Sequence, residues 1–221
     1  MSLEARYKEI KLKIESISNG RSVTLIAVSK KQPIESIEKL YELGHRDFGE
    51  NYVQELVEKS DYFLKKEIRD IRWHFIGHLQ TNKVKILLPL VHTIHSIDTL
   101  KVAKEIETRS QQMGLNPVPC FIEVNIDNES TKSGVLLKDA PEMAQAISKM
   151  PHLSLQGLMC IPSPENSDHE NAFQTLSELQ KQFSTLTQKK LSMGMSEDFE
   201  VAIQQGSTHV RIGTALFGPR M

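Results

Sequence analysis

Cysteine is scarce in this chain of 221 residues: Cys120 and Cys160 are the only two, each inside an apolar, strand-like segment. No CxxC pattern occurs, which excludes a disulfide framework and a thiolate metal site in favour of buried free thiols in a reducing, cytoplasmic compartment. Excess charge is also missing. Lys and Arg number 27 against 28 Asp and Glu, a net charge of −1, so neither nucleic acid nor an acidic membrane finds an electrostatic footprint. No apolar run approaches the length that spans a bilayer. A signal peptide is excluded because Glu4, Arg6, Lys8, Glu9, Lys11 and Lys13 interrupt any apolar region. The chain also lacks a GxGxxG after its first apolar strand, the usual mark of an open doubly wound sheet.

What is present is an alternation. Leu3, Tyr7, Ile10, Ile14 and Ile17 recur at helical spacing, and Asn19-Gly20 closes that helix. Apolar strand patterns follow at 22–29, 45–48, 71–76, 91–96, 118–126, 153–159, 190–193 and 208–212. Helical stripes lie between them: Ile34, Ile37, Leu40 and Tyr41; Val53, Leu56 and Val57; Val102 and Ile106; Met143, Ala144 and Ile147; Phe173, Leu176, Leu179, Phe183 and Leu186; Phe199, Ala202 and Ile203. Strand–helix repetition implies parallel strands joined by helical crossovers. Eight such units in roughly 200 residues predict an α/β fold, a single (β/α)₈ barrel with an extra N-terminal helix, spanning residues 1–221 as one domain. The segment from Pro162 to Asp168 reads as a loop.

In a barrel the active mouth is built at the C-terminal ends of the strands. The residues there are Lys30, Gly49-Glu50-Asn51, Gly77-His78, Asn125, Met159-Cys160-Ile161, Gly194-Met195-Ser196 and Gly213-Thr214. Lys30 ends the apolar run 23–29, where an amine is either a snorkelling surface charge or a nucleophile. The small-residue segments after the last two strands are of the kind that hold a phosphate, with Ser196 as N-cap of the following helix. Each alone reads as turn chemistry; two at adjacent strand ends favour phosphate. Glu197, Asp198 and Glu200 oppose an anion unless they turn outward to complement the helix dipole. With Arg211 in the same mouth, the set suggests pyridoxal 5′-phosphate (PLP), an aldehyde that forms a Schiff base with an amine. His74 and His78, four apart, would stand roughly 13 Å apart on a strand, too far for one metal. His92 and His95, three apart, would face opposite sides. Lys83 and Lys132 fall in polar loops.

The same residues carry a resemblance. Ala27-Val28-Ser29-Lys30, Phe48-Gly49-Glu50-Asn51-Tyr52-Val53-Gln54-Glu55, Trp73-His74-Phe75-Ile76-Gly77, Ser130-Thr131-Lys132-Ser133-Gly134, Gly157-Leu158-Met159, Leu191-Ser192-Met193-Gly194-Met195-Ser196 and Val210-Arg211-Ile212-Gly213-Thr214 resemble the YggS/PROSC family of PLP-binding proteins, over about residues 22 to 218. The resemblance implies the barrel of the alanine racemase N-terminal domain (PLP fold type III), without that enzyme's second domain. It implies Lys30 as the Schiff-base lysine, a choice between Lys30 and Lys31 that periodicity does not make. It implies Arg211 at the pyridine nitrogen, Met195, Ser196, Gly213 and Thr214 around the phosphate, and Asn51 and Met159 lining the cofactor. The implied function is intracellular PLP homeostasis as a carrier or buffer, with PLP-dependent apoenzymes as partners. A barrel of this size with no obvious exposed apolar stripe is expected to be a monomer or weak dimer. The alternative is an amino-acid racemase, which needs an acid–base group on each face of the substrate–PLP plane. Of Tyr7, Tyr41, Tyr52 and Tyr62, only Tyr52 falls near the mouth. A lesser alternative is a sugar-phosphate enzyme with Lys30 as an aldolase-like amine. The chain ends at Gly218-Pro219-Arg220-Met221, short of the tail many relatives carry.

Overall fold

A computed structural model describes residues 1–164 and 168–218. Glu165, Asn166 and Ser167, the middle of the expected loop, and Pro219, Arg220 and Met221 lie outside the described residues. The chain opens with α1 (Leu3–Ser18), which the Ser2 side chain caps by accepting the Ala5 amide at 3.2 Å, and which ends where Asn19 turns left-handed at φ 51. Then follow β1 (Thr24–Val28), α2 (Ile34–Glu42), β2 (Asp47–Glu50), α3 (Val53–Lys65), β3 (Arg72–Phe75), α4 (Val84–Leu87), β4 (Thr93–Ile97), α5 (Leu100–Met113) and β5 (Val118–Asn125). The second half holds β6 (Val135–Leu136), α6 (Ala140–Ile147), β7 (Leu153–Cys160), α7 (His169–Gln182), β8 (Lys190–Ser192), α8 (Phe199–Gln204), β9 (His209–Ile212) and α9 (Thr214–Phe217).

All pairings are parallel, and the sheet closes on itself: β1–β2–β3–β4–β5–β7–β8–β9 returns to β1. The result is an eight-stranded parallel barrel with helices outside it. These eight strands fall on the eight predicted segments. The short β6 joins only the C-terminal end of β5, pairing Val135 with Val124. Closure explains why β4 is buried along its whole length: helices cover the outside and side chains fill the inside. At β7 the approach to β8 is so close that a Cβ on Gly157 would sit 1.8 Å from the Lys190 carbonyl oxygen. The extra helix α1 packs on α8 and α9. Arg6 ties it there, donating to the Leu216 and Phe217 carbonyls at 2.6 and 2.9 Å. The longest predicted stripe is cut short: α7 stops at Gln182, with Phe183 as its C-cap and Leu186 beyond it. Both cysteines are free and buried, and no helix of the described residues is long and apolar enough to cross a membrane.

The interior holds His45, His74 and His95, which links stability to pH. Burial lowers the pKa of His45 to about 4 and of His209 to about 3, and holds the fully buried His95 well below its ordinary value of 6.5. The unfolded chain therefore binds more protons at these rings than the folded one as pH drops below about 6.5, so their contribution is full above that pH and lost below it. Glu123 and Glu50 act in the opposite sense: burial and the neighbouring Asp98 push Glu123 up to about 7, and burial raises Glu50. The three histidines outnumber these two carboxyls. The apo-protein's melting temperature is expected to fall between about pH 6.5 and about pH 4. Calorimetric scans across that range check this, and a flat profile would contradict it.

Candidate functional site

At the C-terminal mouth of the barrel lies a cavity of about 390 Å³. Lys30, Asn51, Met195, Ser196, Arg211, Gly213 and Thr214 all line it. Seven of the eight residues named from sequence thus come together. Met159 does not: it is fully buried within β7 and forms no part of the cavity wall. A larger cavity of about 570 Å³ lies under α1, lined by residues such as Tyr7, Lys11, His45 and Arg72, and contains none of the strand-end set.

Lys30 lies two residues past the end of β1, after Ser29, and is half-buried. The backbone on either side of it is anchored. The Ser29 amide donates to the Gly49 carbonyl at 2.9 Å, and the Ser29 hydroxyl to Glu50 Oε1 at 2.6 Å. The Lys31 amide donates to Glu55 Oε1 at 2.5 Å, with Lys31 itself left-handed at φ 59 and exposed. Beneath this turn Lys59, which sequence reading missed, donates from Nζ to the Ser29 carbonyl at 2.6 Å and to Glu50 and Glu55 at 2.7 Å each. Asn51 closes the next strand end. Its backbone passes so near Gly77 that a Cβ there would lie 2.1 Å from the Asn51 carbonyl, and its buried Oδ1 has no hydrogen-bond partner.

Arg211 reaches the cavity from β9, itself only 3% exposed. Its guanidinium is held by neutral acceptors: Nη1 donates to the Ser192 carbonyl at 2.7 Å and hydroxyl at 2.9 Å, and Nη2 to the Cys160 carbonyl at 2.9 Å. Ser196 does not cap the helix that follows it. Its hydroxyl instead accepts the Ala215 amide at 3.1 Å, in the first turn of α9, so the two small-residue segments are stitched together. The N-cap position of α8 belongs to Asp198. Glu200 turns outward as expected, but Glu197, though exposed, and Asp198 both line the cavity; Asp198 is buried, accepting the Met195 amide at 2.5 Å and pairing with His169 Nδ1 at 2.7 Å. His169 also lines the cavity, with its other ring nitrogen 3.0 Å from the Ser163 carbonyl. It stands at the start of α7, where no strand-end rule points to it.

The remaining candidates lie elsewhere. Tyr52 is the N-cap residue of α3, 54% exposed, and belongs to a neighbouring groove that also holds Lys83. Tyr41 and Tyr62 bond to Asp70 and Glu38, and Tyr7 to His45. Lys132 is no solvated loop lysine: it sits between Asp127 and Glu129 at 3.5 and 3.4 Å. His78 bonds to Asp98 at 3.0 Å, far in role from His74. His92 precedes β4 rather than lying in it, so the opposite-face expectation fails: both His92 and His95 have the His74 ring as neighbour. His74 lies at the opposite, N-terminal mouth. Among the described residues no group of three or more His, Cys, Asp or Glu could hold a metal.

The arrangement offers a half-buried amine, a fixed guanidinium, a hydroxyl and loop amides around one cavity. The model of the alanine racemase N-terminal domain matches residues 3–221. A pyridoxal phosphate homeostasis protein of Escherichia coli (strain K12) is 41% identical over 91% of this chain and 88% of its own length. One from Haemophilus influenzae is 40% identical over 100% of this chain and 97% of its own length. Among solved structures, PipY of Synechococcus elongatus PCC7942 with PLP bound matches 98% of this chain and 100% of its own, with a TM-score of 0.87 and 27% identity. Alanine racemase of Clostridium difficile 630 matches 93% of this chain but 55% of its own, with a TM-score of 0.70 and 14% identity, a likeness of fold alone.

Proposed function

The chain belongs to the pyridoxal phosphate homeostasis proteins, built on the alanine racemase N-terminal domain, and from that premise we propose that it holds PLP as a Schiff base on Lys30 and acts as a carrier or buffer in PLP homeostasis. The observation that carries this reading is the convergence of Lys30, Ser196, Arg211, Gly213 and Thr214 on one cavity. The residues fit the cofactor. Ser196 and the first turn of α9 would take the phosphate, and Arg211 would face the pyridine nitrogen. The unpartnered buried oxygen of Asn51 offers an acceptor on the same wall. When bound, PLP supplies an electrophilic aldehyde and a ring that can drain electrons from an attached amine. Arg211 never gives up its charge, so it disfavours a second positive charge on the ring and weakens that drain.

What surrounds Lys30 supports holding without turnover. A racemase needs a second acid–base group facing the amine across the cofactor. Tyr52, the one tyrosine near the mouth, lines the neighbouring groove instead, and both nitrogens of His169 are engaged. In this reading residues 1–221 form one PLP-binding barrel domain working in a reducing, cytoplasmic compartment, as a monomer or weak dimer. PLP-dependent apoenzymes are the recipients.

Purified protein mixed with PLP is expected to gain visible absorption, and borohydride to fix the label on the peptide carrying Lys30. A protein that stays colourless with added PLP would sink the proposal. Assays of racemisation, transamination and decarboxylation over many amino acids test the second half; robust turnover of any one would make it an enzyme.

A further inference from the structure

One unbroken line of hydrogen bonds runs through the barrel from the cavity mouth to the other end. Arg211 Nη1 donates to Ser192 Oγ at 2.9 Å. Ser192 Oγ meets His95 Nδ1 at 2.8 Å, His95 Nε2 meets His74 Nδ1 at 2.9 Å, and His74 Nε2 meets Asp47 Oδ1 at 3.0 Å. These residues come from β9, β8, β4, β3 and β2, whose inward side chains the closed ring brings together. Asp47 lies on a cavity at the N-terminal mouth, where Arg72 grips both its oxygens at 2.7 and 2.5 Å.

The proton positions along this line follow from donor and acceptor chemistry. Asp47 is a carboxylate, held well below the usual range by Arg72 and His74 against the opposing effect of burial, so it only accepts. His74 therefore carries a proton on Nε2. At the other end Ser192 accepts from Arg211, and the acceptor in reach of its own proton is His95 Nδ1 at 2.8 Å. Fully buried and stacked on Phe121 at 4.5 Å, His95 is neutral, so its proton sits on Nε2 and is given to His74 Nδ1. Every donor then has one acceptor, and all the bonds point from the guanidinium to the carboxylate.

Among the described residues, no carboxylate is in direct contact with Arg211. Burial disfavours its charge, and the nearby groups offset this weakly. The Cys160 thiol is pushed up to about 12 by burial and stays neutral; Glu123 is pushed up to about 7; Asp198 is spent on the Met195 amide and His169. We propose that Asp47, acting through His74, His95 and Ser192, positions the Arg211 guanidinium and is its remote counter-charge. These four are positioning residues: none of them lines the Lys30 cavity. Hydrogen bonds in such a line polarise one another inside the low-dielectric interior, so a change at one end is transmitted to the other. The consequence for PLP rests on the cofactor reading above; the order of the line does not.

Two arms separate these. In ligand-free protein, ¹⁵N NMR is expected to place the ring protons of both His74 and His95 on Nε2, and Asp47→Asn is expected to move the His95 and Arg211 signals. A proton on Nδ1 of either ring, or unmoved signals in Asp47→Asn, would overturn the proposal. In the second arm Ser192→Ala and Asp47→Asn are each expected to weaken PLP binding about five- to tenfold and to alter the visible spectrum, with melting temperatures recorded as a fold control. Arg72→Gln breaks the other Asp47 pairing and leaves the line intact, so it should bind PLP within about twofold of the parent. Parent-like binding and spectra in both line variants, or an equal loss in Arg72→Gln, would also overturn it. Should the parent itself ignore PLP, the cofactor reading fails and the ligand-free arm still decides.

Discussion

The Lys30→Ala protein is expected to fold as the parent does and to gain no visible absorption from PLP. The turn that presents Lys30 is held by bonds that survive the substitution: Ser29 to Gly49 and Glu50, and Lys31 to Glu55. The melting temperature of the ligand-free variant should therefore stay close to the parent's. In the proposed arrangement Ser196, the first turn of α9 and Arg211 still hold PLP, so binding is expected to persist without its covalent anchor. A loss of about ten- to a hundredfold in affinity, roughly 1.4 to 2.8 kcal/mol, is the expected scale. Lys31→Ala serves as the control, because Lys31 is exposed and does not line the cavity. Equilibrium dialysis and absorbance titration make the measurement. Retention of the parent's colour by Lys30→Ala, or its loss in Lys31→Ala, would remove Lys30 from its assigned role.

The largest expected effect on stability comes from Lys59→Met. Lys59 is a buried ammonium bonded to two carboxylates and a carbonyl, with Glu50 completely buried beside it. Removing the ammonium strands Glu50 and the Ser29 carbonyl, and breaking such a buried pair costs about 3 to 5 kcal/mol. The penalty depends on pH. Burial already raises the Glu50 pKa, with Lys59 and Ser29 opposing the rise. Without Lys59 the opposition is weaker, so folded Glu50 takes up a proton where unfolded Glu50 does not. The folded state then binds more protons than the unfolded one above the ordinary glutamate value, and stability is lost as pH rises through the raised pKa. Urea denaturation of parent and variant at about pH 5.5 and about pH 8 should show the deficit widening at the higher pH. A deficit below about 1 kcal/mol and constant with pH would mean that the pair contributes no more than a surface bridge.

Much of the fold was legible because local pattern reports it. Each barrel strand is a short apolar run and each long helix an amphipathic stripe. The elements missed are those too short to show a period. α4 and α9 have four residues each, and β6 has two. The mouth was legible too, since strand ends line it by geometry. His169 was not, because it enters from the start of a helix beyond a loop. Nor was Lys59, nine residues from Glu50 on the next helix. Histidines close in sequence invited pairing as 74 with 78 and 92 with 95, while the bond that forms joins His74 to His95, from adjacent strands.

By itself the sequence determined the strand–helix alternation, hence the parallel barrel, and the set of residues brought to its C-terminal mouth. Its segment-by-segment resemblance singled out Lys30 over Lys31. Only the tertiary structure decided which inward side chains meet. His95 and Ser192 stand 97 residues apart and touch across the barrel, and Ser196 reaches α9 rather than its own helix. Periodicity tells which face of a strand points inward. The stagger between strands and the closing of the ring set which inward residues share a layer, and that register is a long-range property no local pattern carries.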